Sequence, residues 1–268
     1  VDITTKNPDA ILPAKLAALY IVAPKAWKTA GQDVFAKAPI GTGPFKVDSI
    51  TTTRIEMSAF TGSWREPKAA KLVIIPLADA ASRLQALQSG QVNMVAGINP
   101  DQIAAAKKSK ATVISVPAPQ VMSLAFNVTA GGAVKDVRVR QALNYAVDKE
   151  AIANGLLAGK GKAATQGVTP VVYGYNKAVT GYQYDPAKAK ELLAAAGYAS
   201  GLTIAADITV GSFPSDNLIY QSVKADLAKV GVTLNYTTIT FAQWLPQYNA
   251  NSWKGEAFGL SWNSAPRG

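Results

Sequence analysis

The stretch Gly41-Thr42-Gly43-Pro44-Phe45 constrains the backbone more than any other part of this chain. Glycine opens φ/ψ regions closed to other residues, whereas proline fixes its own φ and restricts the residue before it. Two glycines and a proline ahead of the strand-like Phe45-Lys46-Val47 predict a point where the chain crosses between two bodies. Taken alone, such a turn occurs in many folds. Its weight comes from the segments that follow it.

A chain of 268 residues, 49% hydrophobic, can bury one large or two ordinary cores. No apolar run approaches the roughly 20 residues that span a bilayer. No basic start followed by an apolar segment marks a signal peptide, so an exported chain would here be already processed or cut. Cysteine and histidine are both absent. That removes disulfides, thiolate metal sites, Ser-His-Asp triads, His-ligated zinc and a histidine general base. The 17 acidic residues are scattered and form no evident acid/base pair. The expectation is no enzyme, no metal site and no cofactor. A net charge of +10 can steer anionic partners. Its densest cluster, Lys107-Lys108-Ser109-Lys110, follows a helical pattern and suits a helix C-terminus. No aromatic residues interleave it, so a nucleic-acid partner is not expected.

Periodicity gives an alternation of strands and helices. Residues 1–5 alternate like a strand and 10–20 read as a helix. Strands are predicted at 45–50 and 53–60 as a hairpin, then at 71–77, 91–96, 112–116 and 122–127. A helix over 80–88, capped by Asp79 and stopped by Gly90, makes 71–96 a strand-helix-strand unit. Residues 100–106 begin a further helix, and Ala130-Gly131-Gly132-Ala133 reads as a second boundary. Beyond it Asp136, Asp148 and Asp185-Pro186 cap three helices, the first with Val139, Leu143, Ala146 and Val147 as its apolar face. Residues 202–210, 215–230 and 232–239 form a second strand-helix-strand unit, and 258–262 is the last strand. The fold class is therefore α/β, with two lobes meeting near the two glycine segments.

The GTGPF stretch, residues 82–93 (SRLQALQSGQVN), 136–148 (DVRVRQALNYAVD), 184–193 (YDPAKAKELL) and 225–232 (ADLAKVGV) together resemble, in order and spacing, the extracytoplasmic solute-binding proteins of peptide/nickel-type ABC importers, family 5. The resemblance runs from about Lys37 to Trp262. It implies a periplasmic-binding-protein-like fold of type II with an extra domain, two lobes with mixed sheets joined by crossing strands. It divides the chain into 1–38 as the tail of a small inserted domain, 39–129 as part of lobe I and 130–268 as an incomplete lobe II, and implies that N- and C-terminal parts are missing.

Site candidates follow. Residues 159–165 (GKGKAAT) lack the glycine spacing of a phosphate loop and follow a helix, so a basic surface turn is expected. Trp262, Asn263 and Ser264 end a strand, where open α/β sheets bind ligands; a core tryptophan followed by an ordinary turn is the alternative. The resemblance implies that this loop, with Ala265, lines the ligand cleft. Peptide-binding members commonly carry an aspartate there, and this chain does not. Ser212 and Phe213 precede a helix whose free amides could hold an anion, with capping by Ser215 as the simple alternative. Asn127 matches an asparagine that the family places near the hinge. Gly41, Gly43, Gly131 and Gly132 are the expected hinge. Trp244 and Tyr248, at helical spacing, are expected in the core, and Arg138 and Arg140 to be structural or solvated.

The implied function is capture of a small polar solute, peptide-like, opine-like or a chelate, by a monomeric periplasmic protein or cell-surface lipoprotein. Delivery would be to the permease subunits of an ABC transporter. A ligand-sensing domain of a cytoplasmic regulator and a basic nucleic-acid-binding module remain as alternatives.

Overall fold

The computed structural model describes residues 2–17, 19–172, 174–253 and 255–263. Two compact units divide the chain, Val1–Leu77 and Ala78–Gly268.

The first unit carries helices α1 (Leu12–Leu16) and α2 (Pro24–Lys37) and strands β1 (Phe45–Ile50), β2 (Ile55–Ala59) and β3 (Lys71–Ile74). Among the described residues, 2–5 form no strand, and of the helix expected over 10–20 the five residues of α1 are helical. Helix α2 escaped the sequence reading; Gly31, at φ 77°, ψ 168°, breaks it in the middle and disrupts its periodicity. The β1–β2 hairpin forms as expected, with Phe45 opposite Ala59. Strand β3 pairs antiparallel with β2. Residues 91–96 and 112–116 form no strand, so the first strand-helix-strand unit does not exist. Val92, Met94, Ile114 and Val116 alternate as a strand would, but no neighbouring strand edge takes up their backbone groups.

The second unit is built on a four-stranded sheet in the order β4-β7-β5-β6, where β4 is Gln120–Phe126, β5 Leu202–Thr209, β6 Val232–Ile239 and β7 Ala257–Asn263. Strands β4 and β7 run antiparallel, while β5 runs parallel to both β7 and β6. Helices α3 (Ala80–Gln88), α4 (Ile103–Lys108), α5 (Val137–Ala146), α6 (Lys149–Leu156), α7 (Pro186–Ala195), α8 (Asp216–Ala228) and α9 (Phe241–Ala250) complete it. One sheet face packs Ile204, Ala206, Ile208 and Leu234 against Val139 and Leu143 of α5, Leu193 of α7 and Tyr220 and Leu227 of α8. The other buries Phe258 and Leu260 beneath Trp244 of α9.

The helix starts follow their capping residues. Asp79, Asp148 and Asp185 accept from the amides of Ser82 (2.7 Å), Ala151 (2.9 Å) and Lys188 (2.9 Å). Asp136 accepts the Arg138 amide at 2.8 Å and also its guanidinium at 2.6 Å, while Arg138 reaches the Ala195 carbonyl at the end of α7 at 2.6 Å. Arg140 donates to the carbonyls of Val134 and Lys135. Both arginines are thus structural. The Arg138 contact holds the Asp136 carboxyl below the usual carboxylate range.

The boundary expected at residue 130 lies inside the second unit, because β4 before it and β7 far beyond it pair along seven residues. Gly131 (φ 87°) and Gly132 (φ 73°) turn the chain after β4 in the left-handed region. A Cβ on Gly132 would collide with the carboxylate of Glu256, whose Oε2 accepts the Val134 amide at 3.2 Å. Gly41 and Gly43 differ: neither has a left-handed φ, and a Cβ on either meets open space.

Two outcomes follow from these contacts. Gly132→Ala should lower stability by roughly 1–3 kcal/mol in urea melts, whereas Gly43→Ala should stay within about 0.5 kcal/mol of the parent. Because the Asp136 carboxyl titrates low in the folded state, its contribution is complete above the unfolded value of about 3.9 and fades as pH falls through the folded one. The Tm gap between the parent and Asp136→Asn should hold steady from about pH 7 to 5 and narrow below about pH 4.

Candidate functional site

The register of the sheet sorts the expected site residues into two groups. At the C-terminal end of the parallel strands, Trp262 and Asn263 of β7 pair through their backbones with Val121 and Gln120 of β4. The Gly211–Ser215 loop leaves β5 toward this same end, since Ile208 of β5 is level with Gly259 of β7. Ser264 and Ala265 lie outside the described residues. Asn127 sits past the far end of β4, where its amide donates to the Glu256 carbonyl at 2.8 Å. A strand the length of β4 spans about 20 Å. Asn127 therefore does not share a site with Trp262, Asn263, Ser212 and Phe213; Gly131 and Gly132 lie on its side of the sheet.

The loop at the C-terminal end has a built scaffold. Asp216, 6% exposed, folds its carboxylate back so that Oδ2 accepts the amides of Ser212 (2.9 Å) and Phe213 (3.0 Å), while Oδ1 accepts that of Asn217 (2.8 Å). These N–H groups are engaged by the chain's own anion, so they do not form the open anion site expected from sequence. Ser215 occupies the N-cap position of α8 at φ 60°, and its hydroxyl caps nothing. Instead its amide donates to Asn99 Oδ1 (3.1 Å) and its Oγ to the Leu156 carbonyl (3.3 Å). Asn99 precedes a 3₁₀ turn (Pro100–Gln102), with its own amide bonded to Gln102 Oε1 at 2.9 Å. Ser212 is left exposed and Phe213 half-buried.

Tyr220, one turn into α8, underpins both loop and sheet. Its hydroxyl donates to the Ser123 carbonyl of β4 at 2.9 Å, and its ring lies over Gly259 of β7, where a Cβ would come within 2.7 Å. Burial, reinforced by the Asp216 carboxylate, pushes the phenol well above its ordinary value. It therefore stays a donor at any physiological pH.

At the opposite end Asn127 opens onto a cleft of about 530 Å³ lined by Thr129, Tyr248, Asn249, Asn251, Trp253 and Phe258, among others. Thr129 Oγ1 donates to Asn127 Oδ1 at 2.7 Å and accepts from Asn251 Nδ2 at 3.3 Å. Trp244 is core, as expected, but Tyr248 is 42% exposed and stacks on Trp244 with ring centroids 4.7 Å apart. Helical spacing placed the two on one face of α9; it did not show that Tyr248 reaches the rim.

Sequence reasoning missed Asp216, Asn99 and this cleft. Asp216 carried a usable signal, an acidic residue at the first position of a helix after a Gly-Ser loop. Asp216→Ala should release the loop: the Ser212 and Phe213 amides should exchange with solvent at least tenfold faster, with a stability loss of about 1–3 kcal/mol. Unchanged exchange at both amides would show that the loop holds itself.

Comparison with known proteins places this architecture. The chain is 36% identical over 213 residues to the dipeptide-binding protein of Escherichia coli K12, covering 77% of this chain and 40% of that protein. It is 32% identical over 273 residues to heme-binding protein A of Haemophilus influenzae, covering 97% of this chain and 50% of that one. The chain thus spans about half the length of the curated relatives it matches. The structure of the ABC transporter-associated periplasmic binding protein DppA from Helicobacter pylori, in complex with peptide STSA, superposes with a TM-score of 0.82 at 23% identity, over 96% of this chain and 51% of that one. The fold is that of the type II periplasmic binding proteins, as the resemblance implied. The family model for bacterial extracellular solute-binding proteins, family 5 Middle, matches residues 1–266, and the chain belongs to that family.

Proposed function

We propose that this chain is part of a receptor that captures a small polar solute, peptide-like, opine-like or a chelate, outside the cytoplasm and hands it to the permease subunits of an ABC importer. The observation that carries the reading is the convergence of the β5 loop and the end of β7 at one end of the sheet, in a member of a family of binding proteins. Relatives named for dipeptide and heme binding, and a neighbour holding the peptide STSA, supply the range of solutes.

In this reading Trp262, Asn263, Ser264 and Ala265 line one wall of the site, with the side chains of Ser212 and Phe213 beside them. The amides of that loop are spent on Asp216, so the loop offers a ligand its hydroxyl and its ring rather than an anion hole. A second body supplies the opposite wall. Closure around the solute follows from its higher affinity for the closed state; Gly41 and Gly43, both inside the first compact unit, are not assigned to its pivot. Asn127, Gly131 and Gly132 drop out of this site because of their place at the other end of the sheet.

Native mass spectrometry of the protein purified without refolding should reveal a bound small molecule that names the solute class. Titration with that molecule should change tryptophan fluorescence, and Trp262→Ala should abolish the change. An unaltered titration would remove Trp262 from the site, and a protein that carries and binds no solute would overturn the function.

A further inference from the structure

The cleft beside Asn127 is unused by the proposed solute site and lies at the other end of the sheet. Its lining has a consistent chemistry. Phe126, Tyr248, Trp253 and Phe258 give it aromatic walls, and Asn127, Asn249, Asn251 and Thr129 give it amides and a hydroxyl. Among the described residues no acidic or basic side chain lines it. Trp253 is held against Phe258 in a near-parallel stack, with centroids 4.3 Å apart and planes 6° apart, and Trp244 braces Tyr248 from behind. The aromatic surface is thus fixed before any ligand arrives.

Asn127 is the decisive group. It is 8% exposed, yet its amide is only half used. Thr129 Oγ1 donates to Asn127 Oδ1 while accepting from Asn251 Nδ2, which leaves the oxygen end of the Asn127 amide paired and its nitrogen end turned elsewhere. Asn127 Nδ2 is then left with two N–H donors that meet no protein acceptor among the described residues. These donors face the open cleft, where water can satisfy them and a ligand acceptor can take the place of that water.

We propose that this cleft is a second binding site, and that it takes a neutral, hydroxyl-rich ring of the saccharide class. The uncharged lining among the described residues disfavours ions and zwitterions, whose desolvation it would not compensate. A purely apolar guest would leave Asn127 Nδ2 unsatisfied. A sugar ring meets both demands: its C–H face lies on the aromatic side chains, and its hydroxyls accept from Asn127 and pair with the amides of Asn249 and Asn251.

The test is titration of the 268-residue chain with cellobiose, followed by chemical-shift mapping and saturation-transfer NMR. Saturable binding is expected, with shifts concentrated at residues 127–129 and 248–253 and the Ser212 and Phe213 amides unmoved. Asn127→Ser and Tyr248→Ala, each checked for an unchanged fold by circular dichroism, should weaken binding by about tenfold or more. The proposal fails if cellobiose shows no saturable binding, if both folded variants bind it as the parent does, or if the shifts fall at Ser212 and Phe213 instead. Because the two sites occupy opposite ends of the sheet, any of these results leaves the transport reading standing.

Discussion

Everything in the larger unit depends on the insertion of β7 between β4 and β5. It pairs with β4 along seven residues in one direction and with β5 in the other, and so fixes the register of the whole sheet. A slip of one residue would exchange its faces, turning Phe258 and Leu260 away from Trp244. Gly259 tightens the constraint, since only a residue without a Cβ lets the Tyr220 ring lie flat against the strand. Once β7 is placed, the two ends of the sheet are distinct, and so are the two candidate sites.

Much of this fold was legible in the sequence, and the legible parts share a cause. Helices α3, α5, α6 and α7 begin at aspartates that bond to the first-turn amides, a strictly local interaction. The β5-α8-β6 unit was readable because β5 and β6 alternate or run apolar between clear glycine turns. The failures were not local. Residues 91–96 carry a strand-like pattern, but no edge is there to receive them, and pairing is a tertiary fact. Helix α2 was hidden by Gly31, which splits its periodicity.

The sites were less legible than the fold, for a similar reason. Trp262 and Asn127 both looked like strand-end residues, and both lie at strand ends. What composition and spacing could not say was that antiparallel pairing of their strands sends them to opposite ends. The loop at Ser212 shows the other limit. From sequence the amides there were either free for an anion or capped by Ser215; instead Asp216 takes those of Ser212 and Phe213, and the Ser215 hydroxyl caps nothing. The Ser215 hydroxyl is used elsewhere, donating to the Leu156 carbonyl.

The wide sequence separation of β4 and β7 also has a consequence for how the molecule is made. Met122 and Ser261 are partners across the ladder, yet most of the second unit is synthesised between them. Until residues 257–263 emerge, β4 has no neighbour and β5 keeps one edge open. A nascent or interrupted chain therefore exposes unpaired strand edges beside an apolar face, the condition that invites intermolecular pairing. Of the four strands of this sheet β7 is the last in sequence, so its arrival is the step that closes those open edges.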